Sequence, residues 1–258
     1  MIDWLTCLAD DCPELGAGHP PGFLSASERQ VLAGLRFPKR RREWLLGRWT
    51  AKHLLQRSHP AYHSLALPAI TVGNDADGAP YLSIEGKGRL AMSLSISHRD
   101  DRAFCALSPT LPPSIGADLE RIEPRDPAFV RDFFTFNEAE RVWTCPSSRR
   151  DTLITVVWSA KESVLKALRH GLRVDTRSVE ILHVAGLEET LAVLQQTPDP
   201  MWYEIQIRCT LPGTAPLDAW WRPWDRYVLT MATCGPESST RCKVAQSGEN
   251  SQNRSNVL

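Results

Sequence analysis

Residues 114–122, Ser-Ile-Gly-Ala-Asp-Leu-Glu-Arg-Ile, restrict the fold more than any other stretch. Ile115, Ala117 and Leu119 alternate with Gly116, Asp118 and Glu120, and this period belongs to a strand with one apolar face. Side chains two apart on a strand point the same way, so Asp118 and Glu120 share a face, about 6–7 Å apart along it. Gly116 leaves room beside them for a bulky ligand or another backbone. The strand follows directly on Pro109, Pro112 and Pro113, a stiff connector. This break predicts two α+β halves, 1–113 and 114–234. Taken alone, the two acids describe the solvated face of a half-buried strand as well as they describe a ligand pair.

A second acidic segment is Trp-Ser-Ala-Lys-Glu-Ser-Val-Leu-Lys-Ala-Leu-Arg, residues 158–169. Its spacing predicts a helix over 152–169, stopped by Gly171. Ala160, Val164, Ala167 and Leu168 form the buried stripe, while Glu162, Lys166 and Arg169 fall on another face. Ser159 and Glu162 have capping-box spacing, and Glu162 precedes Lys166 by four. Alone, this too is an ordinary solvated face. Together the two segments supply three carboxylates and two lysines. Oxygen-only ligands select Mg²⁺ or Mn²⁺ over zinc, and the lysines would neutralise charge growing on a phosphate. The chemistry implied is attack on a phosphate or pyrophosphate.

Elsewhere, Ser25 and Glu28 mark a helix start. A longer helix is expected from Pro38 to about Gln56, with Trp44, Ala51 and Leu55 on its core face beside Leu45 and Leu54. His19 to Gly22 reads as a loop and residues 73–80, GNDADGAP, as a turn. Residues 91–107 read as two strands around a polar break at 98–102. Further helices are expected over 127–134 and 137–143, and strands over 179–184, 190–195, 202–209 and 226–233. Residues 235–258 are polar and predict a disordered tail. Trp220, Trp221 and Trp224 are expected in core and loop packing, and no internal repeat stands out.

Lys+Arg and Asp+Glu are equal at 30 each, so nothing global draws the chain to nucleic acid or membrane. No run nears the ~18 apolar residues of a membrane span, and the acidic start is unlike a signal peptide. Seven scattered cysteines without a CxxC pair predict reduced thiols in a cytoplasmic protein and no structural zinc.

Ile115-Gly-Ala-Asp-Leu-Glu120, followed about forty residues on by Trp158-Ser-Ala-Lys-Glu-Ser-Val-Leu-Lys166, resembles the paired signature of the 4′-phosphopantetheinyl transferases. Phe133-Phe134 and Asn137-Glu138 between them fit as well, and the length fits the Sfp-type branch, whose single chain holds two similar halves. The resemblance implies an α+β fold with the halves packed as a pseudo-dimer, and a chain that works as a monomer. It implies transfer of the phosphopantetheine arm of coenzyme A to a serine of an apo acyl or peptidyl carrier protein. Asp118, Glu120 and Glu162 would hold Mg²⁺ (Mn²⁺ being possible), with Glu162 also the candidate base for the serine. Lys166, and Lys161 with it, would meet the pyrophosphate, making Glu162 and Lys166 the catalytic pair. Arg40 and Arg48 match the basic helix that binds the 3′-phosphate end, although helical geometry alone would pair Arg41 with Arg48. Ser97-His98 matches the family's Ser-His element at a coenzyme A phosphate.

Three positions depart from the family pattern. Ala79 stands where a lysine is common in Gly-Lys-Pro, Arg99 follows His98 where a small hydroxyl residue is common, and Ala117 replaces a branched residue. Arg99 would compensate in charge for the lysine missing at 79. Two alternatives use the same residues: a coenzyme A or nucleotide-binding module without catalysis, and a metal-dependent phosphohydrolase.

Overall fold

Two helices of 21 residues organise the chain, α2 (Pro38–Ser58) and α5 (Ser147–Ala167). The computed structural model describes residues 2–16, 21–109, 111–187 and 201–235. The expected strand at 190–195, the tail from 236 onward and His19-Pro20 lie outside those residues.

In the first half, β1 (Asp3–Leu8), β6 (Arg102–Ser108) and β5 (Ser93–Arg99) form an antiparallel sheet in that order. Between β1 and β5 in the chain come α1 (Ala26–Gly34), α2, the hairpin β2 (Ile70–Asn74) and β3 (Pro80–Ile84), and the two-residue β4 (Gly88–Arg89). The second half begins with β7 (Ser114–Arg121), α3 (Pro127–Phe133) and α4 (Phe136–Thr144). After α5 come β8 (Val179–Val184), β9 (Tyr203–Cys209), β10 (Leu217–Trp224) and β11 (Tyr227–Cys234), in a sheet ordered β7-β11-β10-β9-β8. Both halves therefore run strand, capped helix, long helix, hairpin, hairpin. No helix among the described residues is long and apolar enough to cross a membrane.

The halves also repeat in side-chain detail that no sequence period displayed. Trp49-Thr50-Ala51-Lys52 on α2 recurs as Trp158-Ser159-Ala160-Lys161 on α5. Ser25 and Glu28 form a capping box on α1, and Thr135 and Glu138 form another on α4. Each capping glutamate also meets the buried lysine of its half, at 2.6 Å for Glu28–Lys52 and 2.8 Å for Glu138–Lys161. Each then accepts a backbone N–H from its first hairpin strand, Val72 at 3.0 Å and Ile181 at 2.7 Å. The remaining protons of both ammonium groups go to carbonyls: Phe23 and Leu67 for Lys52, Thr176 and Val179 for Lys161. A buried ion pair persists only when so completely hydrogen-bonded. Landmarks this short are invisible until the fold aligns them.

The halves meet through an apolar cluster of Ile2, Trp4, Phe104 and Ala106 with Ile115, Ala117, Leu119, Leu229 and Met231. They also meet through three serines. The Ser-Leu-Ser-Ile-Ser alternation of β5 sends Leu94 and Ile96 to its own half and Ser93, Ser95 and Ser97 toward β7. Their hydroxyls accept from Ile115, Ala117 and Leu119 N at 2.9, 2.8 and 3.2 Å. These are the outward N–H groups of an edge strand, which must find partners when buried.

Several boundaries differ from expectation. α5 starts at Ser147, and its left-handed exit is Arg169 (φ 62°), ahead of Gly171. β1, β10 and the strands β2, β3 and β4 around the expected turn were not expected; Pro223 is tolerated in β10 because the pairing with β9 runs only over residues 219–221. The β5–β6 turn is tighter than residues 98–102, so His98 and Arg99 lie within β5.

Candidate active site

Asp118 sits on β7 between the two halves, 2% exposed. Its Oδ1 accepts from Ser97 Oγ at 2.9 Å and Lys166 Nζ at 2.7 Å, and its Oδ2 from Ser159 Oγ at 2.7 Å. Gly116 brings α5 this close. A Cβ there would lie 1.9 Å from Ser163 O and 2.6 Å from Ala167 N, so the space beside the acids is taken by another backbone.

Glu120 and Glu162 complete the set. Arg125 donates to Glu120 at 3.2 Å, and Arg99 lies 3.6 Å from the same oxygen. Glu162 has Lys166 at 3.6 Å, one turn along α5. Burial, then the neighbouring Asp118 charge, raises the Glu162 pKa to about 7, and the same two causes raise that of Glu120. Burial would lower the pKa of Lys166, but Asp118 and Glu162 outweigh it and raise it. Carboxylates that oppose one another's ionisation this way suit a cation. Among the described residues no group of three or more His, Cys, Asp or Glu side chains is placed, as it stands, to hold a metal ion. Carboxylate oxygens are the donors that Mg²⁺ takes beside waters and phosphate oxygens, and they do not suit ions that prefer nitrogen or sulfur.

The basic residues divide by position. Arg48 is buried under the Trp44 ring at 4.4 Å and donates to Asn74 Oδ1 at 2.6 Å. Asn74 in turn donates to Gly78 O, so Arg48 reaches the β2–β3 turn, and burial lowers its pKa to about 10. Arg41 donates to Leu32 O at 2.9 Å and Leu35 O at 3.2 Å, tying down the C-terminal carbonyls of α1. Arg40 is exposed on the first turn of α2. His98 Nδ1 lies 3.8 Å from Glu43 Oε2, and burial lowers its pKa against the pull of Glu43.

Two expected ligand-binding residues are engaged elsewhere. Lys161 is fully buried and bound to Glu138, because adjacent residues on a helix point ~100° apart and only Glu162 faces β7. The Ser97 hydroxyl donates to Asp118 and accepts from Leu119 N, so it orients the carboxylate.

A cavity of about 260 Å³ is lined by Ala79, Pro80, Leu94, Ile96 and Arg169 among others, and by Lys166, through which it reaches Asp118. At its mouth Arg169 makes two bonds to Asp77, at 2.7 and 2.9 Å, and one to Asp75 at 2.6 Å. Arg89 grips Asp75 with two more, at 2.7 and 2.9 Å. This clasp joins the β2–β3 turn to the end of α5 and was missed in the sequence, where its only trace is two aspartates in a turn. It also corrects the role expected of Arg99. The cations around the cavity are Arg89, Lys166 and Arg169, whereas Arg99 pairs with Glu123 at 2.7 Å.

Residues 114–232 match the family model of the 4′-phosphopantetheinyl transferase superfamily. The chain is similar to 4′-phosphopantetheinyl transferase psf-1 of Bacillus pumilus, 25% identical over 150 residues. That match spans 58% of this chain and 60% of the relative, less than two thirds of its length. A solved apo-ACPS structure of Chronobacterium ammoiniagenes is 22% identical with a TM-score of 0.34, covering 42% of this chain and 93% of its own. Holo-[acyl-carrier-protein] synthase (AcpS) of Thermotoga maritima is 20% identical with a TM-score of 0.34, covering 52% and 74%.

Proposed function

We propose that this chain, whose residues 114–232 match the 4′-phosphopantetheinyl transferase superfamily model, moves the phosphopantetheine arm of coenzyme A onto a serine of an apo carrier protein. The observation that carries this reading is the position of Lys166. It lines the cavity between the halves and also bonds Asp118, so a ligand's phosphates in the cavity would lie against the carboxylates.

In this reading Asp118, Glu120 and Glu162 hold Mg²⁺, which supplies Lewis-acid stabilisation of charge on the pyrophosphate. Glu162 takes the serine proton, directly or through a water, as the serine oxygen bonds to the phosphorus of the arm. The bond from that phosphorus to the bridging oxygen breaks, and adenosine 3′,5′-bisphosphate leaves with its new charge facing Lys166. Arg48, Arg40 and His98 hold the phosphate end of coenzyme A, with Arg40 preferred because Arg41 already binds α1. The first half, 1–113, thus contributes the nucleotide grip and the second, 114–234, the ion. We further read the protein as a cytoplasmic monomer, its two fused halves forming the site within one chain.

The test is coenzyme A with Mg²⁺, with and without apo carrier protein. Adenosine bisphosphate released only with carrier supports transfer. Release without carrier supports a phosphohydrolase, and none with any carrier supports a binding module. Glu162→Gln and Asp118→Ala are expected to lower transfer by about 10²-fold or more with the fold intact.

A further inference from the structure

Thr230 lies on β11, outside both acidic segments, and is fully buried. Its hydroxyl is 2.8 Å from Ser159 Oγ and 2.7 Å from Ser163 Oγ, both on α5. Counting protons gives these contacts a direction. Ser159 has one hydroxyl proton, and Asp118 Oδ2 can only accept, so that proton goes to Asp118. The contact between Ser159 and Thr230 is then a bond only if Thr230 donates. That uses Thr230's one proton, so Ser163 must donate toward Thr230. Its proton is shared between Thr230 Oγ1 and Thr230 O, the latter at 3.1 Å.

The chain therefore runs one way, from Ser163 to Thr230 to Ser159 to Asp118. A carboxylate offers about four acceptor positions. Ser97 and Lys166 use two on Oδ1 and Ser159 uses one on Oδ2, so the fourth is on the oxygen that Ser159 holds and is the one left for the hydrogen bond that Asp118 shares with Glu162. We infer that Thr230 is a positioning residue, which fixes the Ser159 hydroxyl and through it aims the Oδ2 position that Asp118 turns toward Glu162 at a divalent cation. This rests on the reading of Asp118 as a metal ligand. Groups hydrogen-bonded directly to a ligand, as Ser159 is to Asp118, typically change metal affinity 10–100-fold when removed, and Thr230 acts through Ser159, at the low end of that range.

The test is Mn²⁺ affinity of the full chain at saturating coenzyme A without carrier, read from loss of the free Mn²⁺ electron paramagnetic resonance signal. Thr230→Val keeps the volume, and Ser163 retains the main-chain carbonyl as acceptor. It is expected to weaken Mn²⁺ binding about tenfold with the thermal midpoint nearly unchanged. Thr230→Ser restores the donor and is expected to bind within about twofold of wild type. Thr230→Cys, a weak donor of similar volume, should fall between and serves if Thr230→Val does not fold. Wild-type affinity in Thr230→Val or Thr230→Cys overturns the inference, as does a Thr230→Ser variant as weak as Thr230→Val. An Asp118→Asn variant that binds Mn²⁺ as wild type does, or a wild type that binds none, instead removes the metal reading itself.

Discussion

The two halves share a frame and differ in what the frame carries. Lys52 and Lys161 occupy matching places, each paired with the capping glutamate of its half. One residue further along, α2 has His53 where α5 has Glu162. The strand below differs in the same way. Cys7 on β1 is hydrogen-bonded to Thr50, whereas Asp118 on β7 is bonded to Ser159, the counterpart of Thr50. The scaffold is thus separable from the chemistry. Capping boxes, buried lysines and long helices build both halves, and a few substitutions on one helix face and one strand face give the second half its carboxylates.

The largest test of the shared frame is to unpair the buried glutamates. Lys52→Ala and Lys161→Ala should each cost about 3–5 kcal/mol by chemical denaturation, because each leaves a buried carboxylate unpaired. A loss in only one half would break the equivalence. A Lys161 variant of normal stability but raised KM for coenzyme A would restore this residue to the ligand site.

Next is a pair of glycines on opposite partners. Gly116→Ala should cost about 3 kcal/mol, since its Cβ meets α5 backbone that cannot move aside. Gly47→Ala on α2 should stay within about 1 kcal/mol of wild type. Its Cβ meets only the Ile96 Cγ2 at 3.0 Å, and alanine gains helix propensity. Equal losses would mean that the two helices approach their sheets alike.

The third comparison sits on the first turn of α2. Arg41→Ala should lower stability by about 1–2 kcal/mol through its lost carbonyl bonds. Arg40→Ala should leave stability within about 0.5 kcal/mol while raising the KM for coenzyme A about tenfold. The reverse pattern would favour the pairing that helical geometry alone selects.

The smallest effect is expected at the clasp. Its bonds to arginine hold Asp75 and Asp77 below the ordinary carboxylate range. Groups lowered on folding stabilise above their unfolded pKa and lose that contribution as pH falls through the folded one. The stability gap between wild type and Arg169→Gln should therefore be widest above about pH 5, begin to narrow below about pH 4, and close only as pH falls through the lowered folded values. It should also shrink in 1 M salt. A gap independent of both would show that the arginine acts by packing.

The triad was legible because two periods converge on it: alternation on β7 put Asp118 beside Glu120, and helical spacing put Glu162 beside Lys166. Legibility ended where a neighbour on another element decides direction. Lys161 follows the same motif as Glu162 but faces α4, which only the Glu138 pairing reveals. Arg41 and Arg40 differ only by the end of α1 beneath them. Ser97 reads as a ligand contact until β7 is laid against it. β1 escaped because its burial lacks strict alternation, and β10 because prolines flank and interrupt it. The repeat escaped because it survives as a few residues per element.

The most direct test of a metal-dependent transferase is the intact mass of an apo carrier protein after incubation with coenzyme A and the wild-type chain. The account predicts a gain equal to one phosphopantetheine arm with Mg²⁺, and no gain when the ion is chelated or Glu162 is replaced by Gln. The same gain in chelator, or no gain across a panel of fatty-acid, polyketide, peptide and lysine-pathway carriers with Mg²⁺, would contradict it.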